Sequence, residues 1–427
     1  MKKNKLLGMT LSILLAFILI LSSCNVVTDE GENDIDQIIS NKDIESTDTS
    51  TEYNEDEGGI PKDAISYDIS KNLDGSVIAY LYKTSNAGTY TLNIQGNGKM
   101  FYGIAPWNDK IEMIKELIIG DEITEINDNA FSGMIRLEEA CVPNTVTCIG
   151  LGAFSGCTVL KQLTLPFVGE SASSNNTHIG YLFGAESYKD NSTFLPKSLK
   201  KIIIENAETI GKYAFYNCKS IDEIVLPDTL KKIDSYAFYG IAVDSLTIPN
   251  SINEMGASML KYAKINTLTI PFIGDRKDNP TQTSISYLIS GDSLNAGDGL
   301  KTIIVMHAQT ITSETFYELR GTKSIIVNGT ATQIEGLAFN GCKDLESITI
   351  NCPIQSLGQC AFQCCDSLKS IILPSTVAKM NERSFNICPN LDYIYFCGTQ
   401  NDWNSITKPT NWKENIGKGI VVCDYRV

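Results

Sequence analysis

Apolar and polar residues recur along this chain with a fixed period. The dipeptide Ala-Phe occurs at Ala130-Phe131, Ala153-Phe154, Ala214-Phe215, Ala237-Phe238, Ala338-Phe339 and Ala361-Phe362, and Phe316 and Phe385 fall in the same phase. The steps from Phe131 to Phe154, from Phe215 to Phe238, and from Phe316 through Phe339 and Phe362 to Phe385 are each 23 residues. One structural unit therefore repeats. A representative unit reads Leu368-Lys369-Ser370-Ile371-Ile372-Leu373-Pro374, then Val377, Met380, Phe385, Cys388 and Leu391. Alternation of apolar residues at Ile371 and Leu373 predicts a strand, and Pro374 ends it because proline cannot extend the hydrogen-bond ladder. Strands arriving at a constant period stack side by side in a parallel sheet, while the residues around Ala-Phe close each turn. The expected fold class is a repeat solenoid with a parallel β-sheet on one face.

Twelve coils are predicted, beginning near Ile114, Leu137, Leu160, Leu199, Ile221, Val243, Ile265, Leu300, Thr322, Leu345, Leu368 and Leu391. Two are long, at 160–198 and 265–299. They resemble each other: Leu165-Pro166-Phe167-Val168-Gly169 with Gly180-Tyr181-Leu182 in one, Ile270-Pro271-Phe272-Ile273-Gly274 with Ser286-Tyr287-Leu288 in the other. Extensions built to one plan should leave the array in the same direction, and they are expected to border the strand face.

The first residues do not belong to the array. Lys2, Lys3 and Lys5 precede an apolar run from Leu6 to Leu21, the pattern of an export signal spanning 1–23. The run ends in Leu21-Ser22-Ser23-Cys24, which resembles the lipobox of bacterial lipoproteins; the resemblance implies lipidation of Cys24, which would become the mature N-terminus. Residues 24–61 are polar and acidic, as in Thr28-Asp29-Glu30-Gly31-Glu32-Asn33-Asp34, and read as a disordered tether. The expected location is therefore extracytoplasmic and lipid-anchored to a bacterial membrane, at the cell surface. Lys plus Arg number 35 against 50 for Asp plus Glu, a net charge of −15 that would repel a phosphate backbone, so nucleic acid is not an expected partner.

The pattern Leu-x-x-Ile-x-Ile-Pro followed by Ile-Gly-x-x-Ala-Phe-x-x-Cys resembles the BspA-like class of leucine-rich repeat over about two thirds of the chain. The resemblance extends to Gly75–Met100 with Pro106-Trp107, similar to a β-rich segment before the first repeat, and to Tyr395–Ile406 with Trp403, similar to a C-terminal cap. The implied organisation is a β-rich N-terminal cap region at 62–113, leucine-rich repeats at 114–394 and a small cap at 395–427. Members of the class are surface proteins implicated in adhesion, which implies a host-matrix, cell-surface or envelope protein, or a glycan, as partner.

Candidate chemistry is sparse. His178 and His307 are the only histidines and lie far apart in the array; no phosphate loop, nucleophile elbow or metal-spaced His/Cys set occurs, so neither cofactor, metal nor catalysis is expected. Cys157, Cys218, Cys342, Cys365 and Cys388 each follow the repeat aromatic by three residues. They are expected to be free and buried, because in-register stacking spaces them about 4.8 Å apart, longer than the roughly 3.5–4.5 Å between Cβ atoms of a disulfide. Pairing of Cys397 with Cys423 is left open by the sequence. Outward strand positions form a second row: Ile118, Cys141, Thr164, Ile203, Val225, Thr247, Thr269, Ile304, Ile326, Thr349, Ile372 and Tyr395. A solenoid presents such a sheet to partners, and the expected ligand-binding patch is Ile203, Val225 and Thr247, between the long coils. The functional expectation is a non-enzymatic surface binding or adhesion protein; the alternative is a structural envelope or surface-coat component that self-associates.

Overall fold

The computed structural model describes residues 59–426 except 72, 85–87, 102–104 and 290–298. All of these fall in the compact unit Asn54–Val427. The signal segment, Cys24 and nearly all of the acidic stretch lie outside the described residues.

The unit is a parallel β-solenoid of about fourteen turns. All twelve residues at which coils were expected to begin are buried, from Ile114 at 0% exposure to Val243 at 6%. The two further turns come from segments that carry no repeat motif. Tyr90–Gly96, the last strand of an antiparallel meander with Ile65–Asp68 and Val77–Lys83, pairs parallel to Ile114–Ile119 and so begins the stack. Ile420–Val422 pairs parallel to Tyr393–Phe396 and ends it. Between these two strands the chain passes through the helix Gln400–Ser405, which is closed by a capping box in which Thr399 and Asp402 each accept the other's backbone N–H.

The repeated turns are joined by three kinds of ladder. The main strands stack in register, as in Ser347↔Ser370↔Tyr393, Ile348↔Ile371↔Ile394 and Thr349↔Ile372↔Tyr395. A second ladder of two-residue strands, such as Ser356–Leu357 beside Lys379–Met380, runs along another side of each coil. The return half forms the third. There, Leu337, Phe339 and Gly341 donate backbone N–H groups to Gln359, Ala361 and Gln363 of the next coil. The residues two before and two after the phenylalanine take positive φ: Leu337 (63°) and Gly341 (74°) around Phe339, Cys360 (55°) and Cys364 (58°) around Phe362, Arg383 (55°) and Ile387 (56°) around Phe385. A left-handed conformation costs a non-glycine residue roughly 1–2 kcal/mol. The inter-coil bonds, which a right-handed turn would misplace, hold it there.

The core is one continuous row of buried side chains. Phe316, Phe339, Phe362 and Phe385 are fully buried and stack at centroid distances of 4.8, 4.9 and 5.0 Å. Trp412 closes the row edge-on to Phe385 at 6.0 Å. Aromatic pairs of this kind add about 0.5–1.5 kcal/mol each beyond area burial. Beside them runs the cysteine row. The thiols of Cys157, Cys342, Cys365 and Cys388 donate to the carbonyls of Phe131, Phe316, Phe339 and Phe362 in the preceding coil, at 3.3, 3.0, 3.2 and 3.0 Å. A cysteine here both fills a small apolar space and bonds a buried carbonyl. All twelve described cysteines are free, including Cys397 and Cys423. Among the described residues no helix is long and apolar enough to cross a membrane.

Candidate functional site

The outward row on the main sheet is assembled in register. Cys141, Thr164, Ile203 and Val225 stand opposite one another on adjacent strands, and a second run continues from Thr247 through Thr269, Ile304, Ile326, Thr349 and Ile372 to Tyr395. The ladder is interrupted between Val225 and Thr247, whose strands belong to different sheets. Exposure varies along the row: Thr164 is buried, Ile203 half-buried, Val225 37% exposed and Thr247 exposed. Of the three residues expected to bind, Val225 and Thr247 are exposed, whereas Ile203 is half-buried like the row from Thr269 to Tyr395. Charges flanking the row pair within it. Glu138 meets Lys161 at 2.6 Å, and Glu346 lies between Lys369 at 2.5 Å and Lys323 at 3.2 Å. Hydrogen bonds from Lys369 and then Lys323 hold the Glu346 carboxyl below the usual range. Exposed pairs like these contribute little stability, about 0–1 kcal/mol each, but leave the strand face without a strong field of one sign.

The long coils do not border that row as expected. They are built alike and leave in the same direction, but they root on the second ladder. Glu170 O accepts from Ile149 N, and Asp275 O from Met255 N, at 2.8 Å in both cases; Ile149 and Met255 both lie on second-ladder strands. Each loop then folds back on itself, with Glu170 N bonding Asn176 O and Asp275 N bonding Gln282 O. The preceding glycines make this possible. Gly169 and Gly274 have φ of 91° and 108°, and a Cβ on either would lie 1.9 Å from the carbonyl oxygen of Asn176 or Gln282. The acidic side chain that follows pins its own loop: Asp275 accepts from Thr281 N, Thr281 Oγ1 and Gln282 N, at 2.9, 2.6 and 2.9 Å. After the loops, the short helices Ile179–Phe183 and Ile285–Ile289 replace the Ala-Phe turn. Tyr181 O and Leu182 O accept from Gly152 and Phe154, as Tyr287 O and Leu288 O do from Ser258 and Leu260. The motif shared by the two extensions therefore encodes a return to the stack.

The first extension reaches one place the sequence does not advertise. Its helical turns at 188–194 bring Tyr188 against the return half of the next coils, where Tyr213, Tyr216, Tyr236 and Tyr239 flank the buried Phe215 and Phe238. Tyr188, Tyr213 and Tyr236 stack in one file at 3.8 and 5.4 Å. Tyr216 and Tyr239 stack in a second at 4.4 Å, and Tyr262 meets Tyr239 edge-on at 5.2 Å. Tyr262 is 66% exposed and the other five are half-buried. Burial, followed by the neighbouring Tyr216, pushes the Tyr239 phenol up to about 12; burial likewise raises Tyr213. Both hydroxyls remain protonated at neutral pH. The ammonium groups of Lys212 and Lys261 lie over the rings of Tyr213 and Tyr262 at 5.0 and 5.6 Å. The repeated pair Tyr213-Ala214-Phe215-Tyr216 and Tyr236-Ala237-Phe238-Tyr239 was the sequence signal for this patch; the contribution of Tyr188 carries none.

The remaining polar groups are engaged in the fold. His178 is buried, its Nδ1 is 2.9 Å from Asn191 Oδ1, and burial lowers its pKa. Asn191 also accepts from Gly180 N and donates to Tyr216 O, tying the extension to the next coil. An open cleft of about 670 Å³ near the N-terminal end is lined by Lys99, Glu125, Asp128, Cys148, Glu170 and Tyr181. There Lys99 pairs with Glu125, Asp128 accepts from Leu151 N at 2.7 Å, and Glu170 accepts from Ser174 and Asn176. Among the described residues no group of three His, Cys, Asp or Glu side chains is placed to hold a metal.

A family model described as a BspA type leucine rich repeat region, in six copies, matches residues 109–181, 188–275 and 296–407. No curated protein matches the sequence. Solved structures with a matching chain include a leucine-rich repeat protein from Bacteroides ovatus, 18% identical over 81% of this chain and 98% of that one, with a TM-score of 0.38. A leucine rich cell surface protein from Faecalibacterium prausnitzii is 20% identical over 81% and 98%, with a TM-score of 0.28. A leucine-rich repeat protein from Eubacterium ventriosum is 17% identical over 83% and 99%, also with a TM-score of 0.28.

Proposed function

Because the chain belongs to the BspA-type leucine-rich-repeat family, we propose that it is a non-enzymatic binding protein of the bacterial cell surface, held there by a lipid on Cys24. The array serves as a rigid scaffold, and the main-sheet face around Ile203, Val225 and Thr247 engages a matrix, cell-surface or envelope protein. The observation that carries this reading is the in-register outward row, open to solvent at Val225 and Thr247 and flanked by charges already paired among themselves. Rigid β-branched side chains lose little conformational freedom on binding, so a partner covering them retains most of the hydrophobic gain. A standard interface of about 800 Å² per side would span several coils.

The test is capture of extracellular-matrix and mucin fractions by the full chain in detergent. Val225→Glu together with Thr247→Lys should abolish capture of the protein partner and leave the melting temperature unchanged, since both side chains are exposed and make no core contact. Undiminished capture by that variant would remove the strand face from consideration.

A further inference from the structure

The tyrosine patch lies on the return half of the coils, apart from the main-sheet row, and nothing in the strand-face reading uses it. We propose that Tyr188, Tyr213, Tyr216, Tyr236, Tyr239 and Tyr262, with Lys212 and Lys261 at the margins, form a binding surface for an anionic polysaccharide.

Four observations converge on that chemistry. The rings are fixed by one another in two stacked files, so their ordering cost is met before any ligand arrives; tyrosine is favoured in recognition surfaces for this rigidity and its amphipathic character. Because ring faces within a file cover each other, the patch offers ring edges and a row of phenolic hydroxyls, which match sugar C–H and O–H groups. Tyr262, edge-on to its neighbour and two-thirds exposed, contributes most of the open ring surface at one end. Successive tyrosines step by 5.4 Å from Tyr213 to Tyr236 and 4.4 Å from Tyr216 to Tyr239, comparable with one pyranose unit, so a repeating ligand meets a repeating site.

The sign of the ligand follows from the lysines. Among the described residues Lys212 and Lys261 have no carboxylate within ion-pair distance, in contrast to the flanks of the main strands, where lysines meet glutamates and aspartates coil after coil. Lys189 and Lys219 stand beside Tyr188 and Cys218 on the same stretch and are also unpaired, against Glu186 and Asp190 nearby. The surface is thus locally cationic on a chain of net charge −15. An acidic peptide would share the charge but not the fit. The backbone N–H groups of Phe215, Asn217, Phe238 and Gly240 are already bonded to the adjacent coil, so a peptide cannot add main-chain bonds here. Recognition must come from rings and hydroxyls.

The experiment measures binding of the full chain in detergent to polygalacturonate, chondroitin sulfate, neutral dextran and poly-L-glutamate by affinity electrophoresis. At least one acidic polysaccharide should retard the protein, with dextran and polyglutamate markedly weaker. Lys212→Gln with Lys261→Gln should weaken that binding roughly tenfold, as for loss of two charge contacts from an interface. Tyr262→Ala should weaken it as well, while all variants keep the native melting temperature. Val225→Glu with Thr247→Lys should bind the polysaccharide as native protein does, which separates this surface from the strand face. The proposal is overturned if neither acidic polysaccharide binds, if the double lysine variant binds like native protein, if polyglutamate binds as tightly as the glycans, or if the strand-face variant loses glycan binding.

Discussion

The cysteines illustrate how one side chain serves the stack. The thiols of Cys157, Cys342, Cys365 and Cys388 lie against the phenylalanine carbonyl of the preceding coil, while that of Cys218 lies 3.7 Å from Tyr216 O in its own coil; burial pushes Cys157 up to about 12 and raises Cys218 strongly. For Cys365 the hydrogen bonds with Cys342 and Cys388 contribute before burial does. A thiol whose folded pKa exceeds its unfolded value of about 8.5 favours folding fully below that value and progressively less as pH rises toward the folded pKa. The melting temperature should therefore fall as pH is raised from 9 to 11, beyond what a Cys157→Ala, Cys218→Ala, Cys365→Ala variant shows over the same range. Identical pH profiles for the two proteins would mean that these thiols are not buried as described. The sequence made the row visible through its constant spacing from phenylalanine. It did not reveal the thiol-to-carbonyl bond, because that partner lies 26 residues upstream and is set by the stacking.

At the level of elements, the extensions depend on a single glycine each. Gly169→Ala and Gly274→Ala place a methyl group against a backbone carbonyl at 1.9 Å and force φ near 100° on an alanine, a combination expected to cost about 1–3 kcal/mol. The loss should be confined to the loop, since a solenoid coil contacts only its neighbours. Faster hydrogen exchange at 170–177 in Gly169→Ala, or at 275–283 in Gly274→Ala, with distant coils unchanged, is the expected result. An alanine variant with native exchange in its loop would show that the close approach to Asn176 or Gln282 is not required. The likeness of the two extensions was legible from Pro-Phe-(Val/Ile)-Gly; the side of the solenoid they occupy was not. Residues 166–169 alone do not show whether the chain turns toward the strand face or joins the second ladder, and the bonds from Ile149 and Met255 decide it.

For the whole molecule, the lipid on Cys24 is the proposal with the widest consequence, because it fixes where the solenoid works. Native protein should partition into the detergent phase and Cys24→Ala into the aqueous phase, and the intact mass of the extracted protein should carry a diacylglyceryl group on an N-terminal cysteine. Equal partitioning of the two proteins would remove the lipid anchor from the reading. The sequence by itself determined the period, the twelve coil origins and the inward direction of Phe339, Phe362 and Phe385. These features recur from coil to coil, and a stacked coil meets similar neighbours wherever it stands, so a local pattern carries the information. Tertiary structure alone decided what departs from that pattern. It recruited Tyr90–Gly96 and Ile420–Val422 as the first and last strands of the parallel stack, although neither carries the motif, because an exposed ladder edge accepts any segment able to pair. It imposed left-handed backbone on Leu337, Cys360 and Arg383, where the sequence has no glycine to announce it, through hydrogen bonds that only the next coil can supply. It also set Tyr188 against Tyr213, two residues from different coils that no periodicity relates, because the break in the repeat allowed the chain to fold back over the coil that follows.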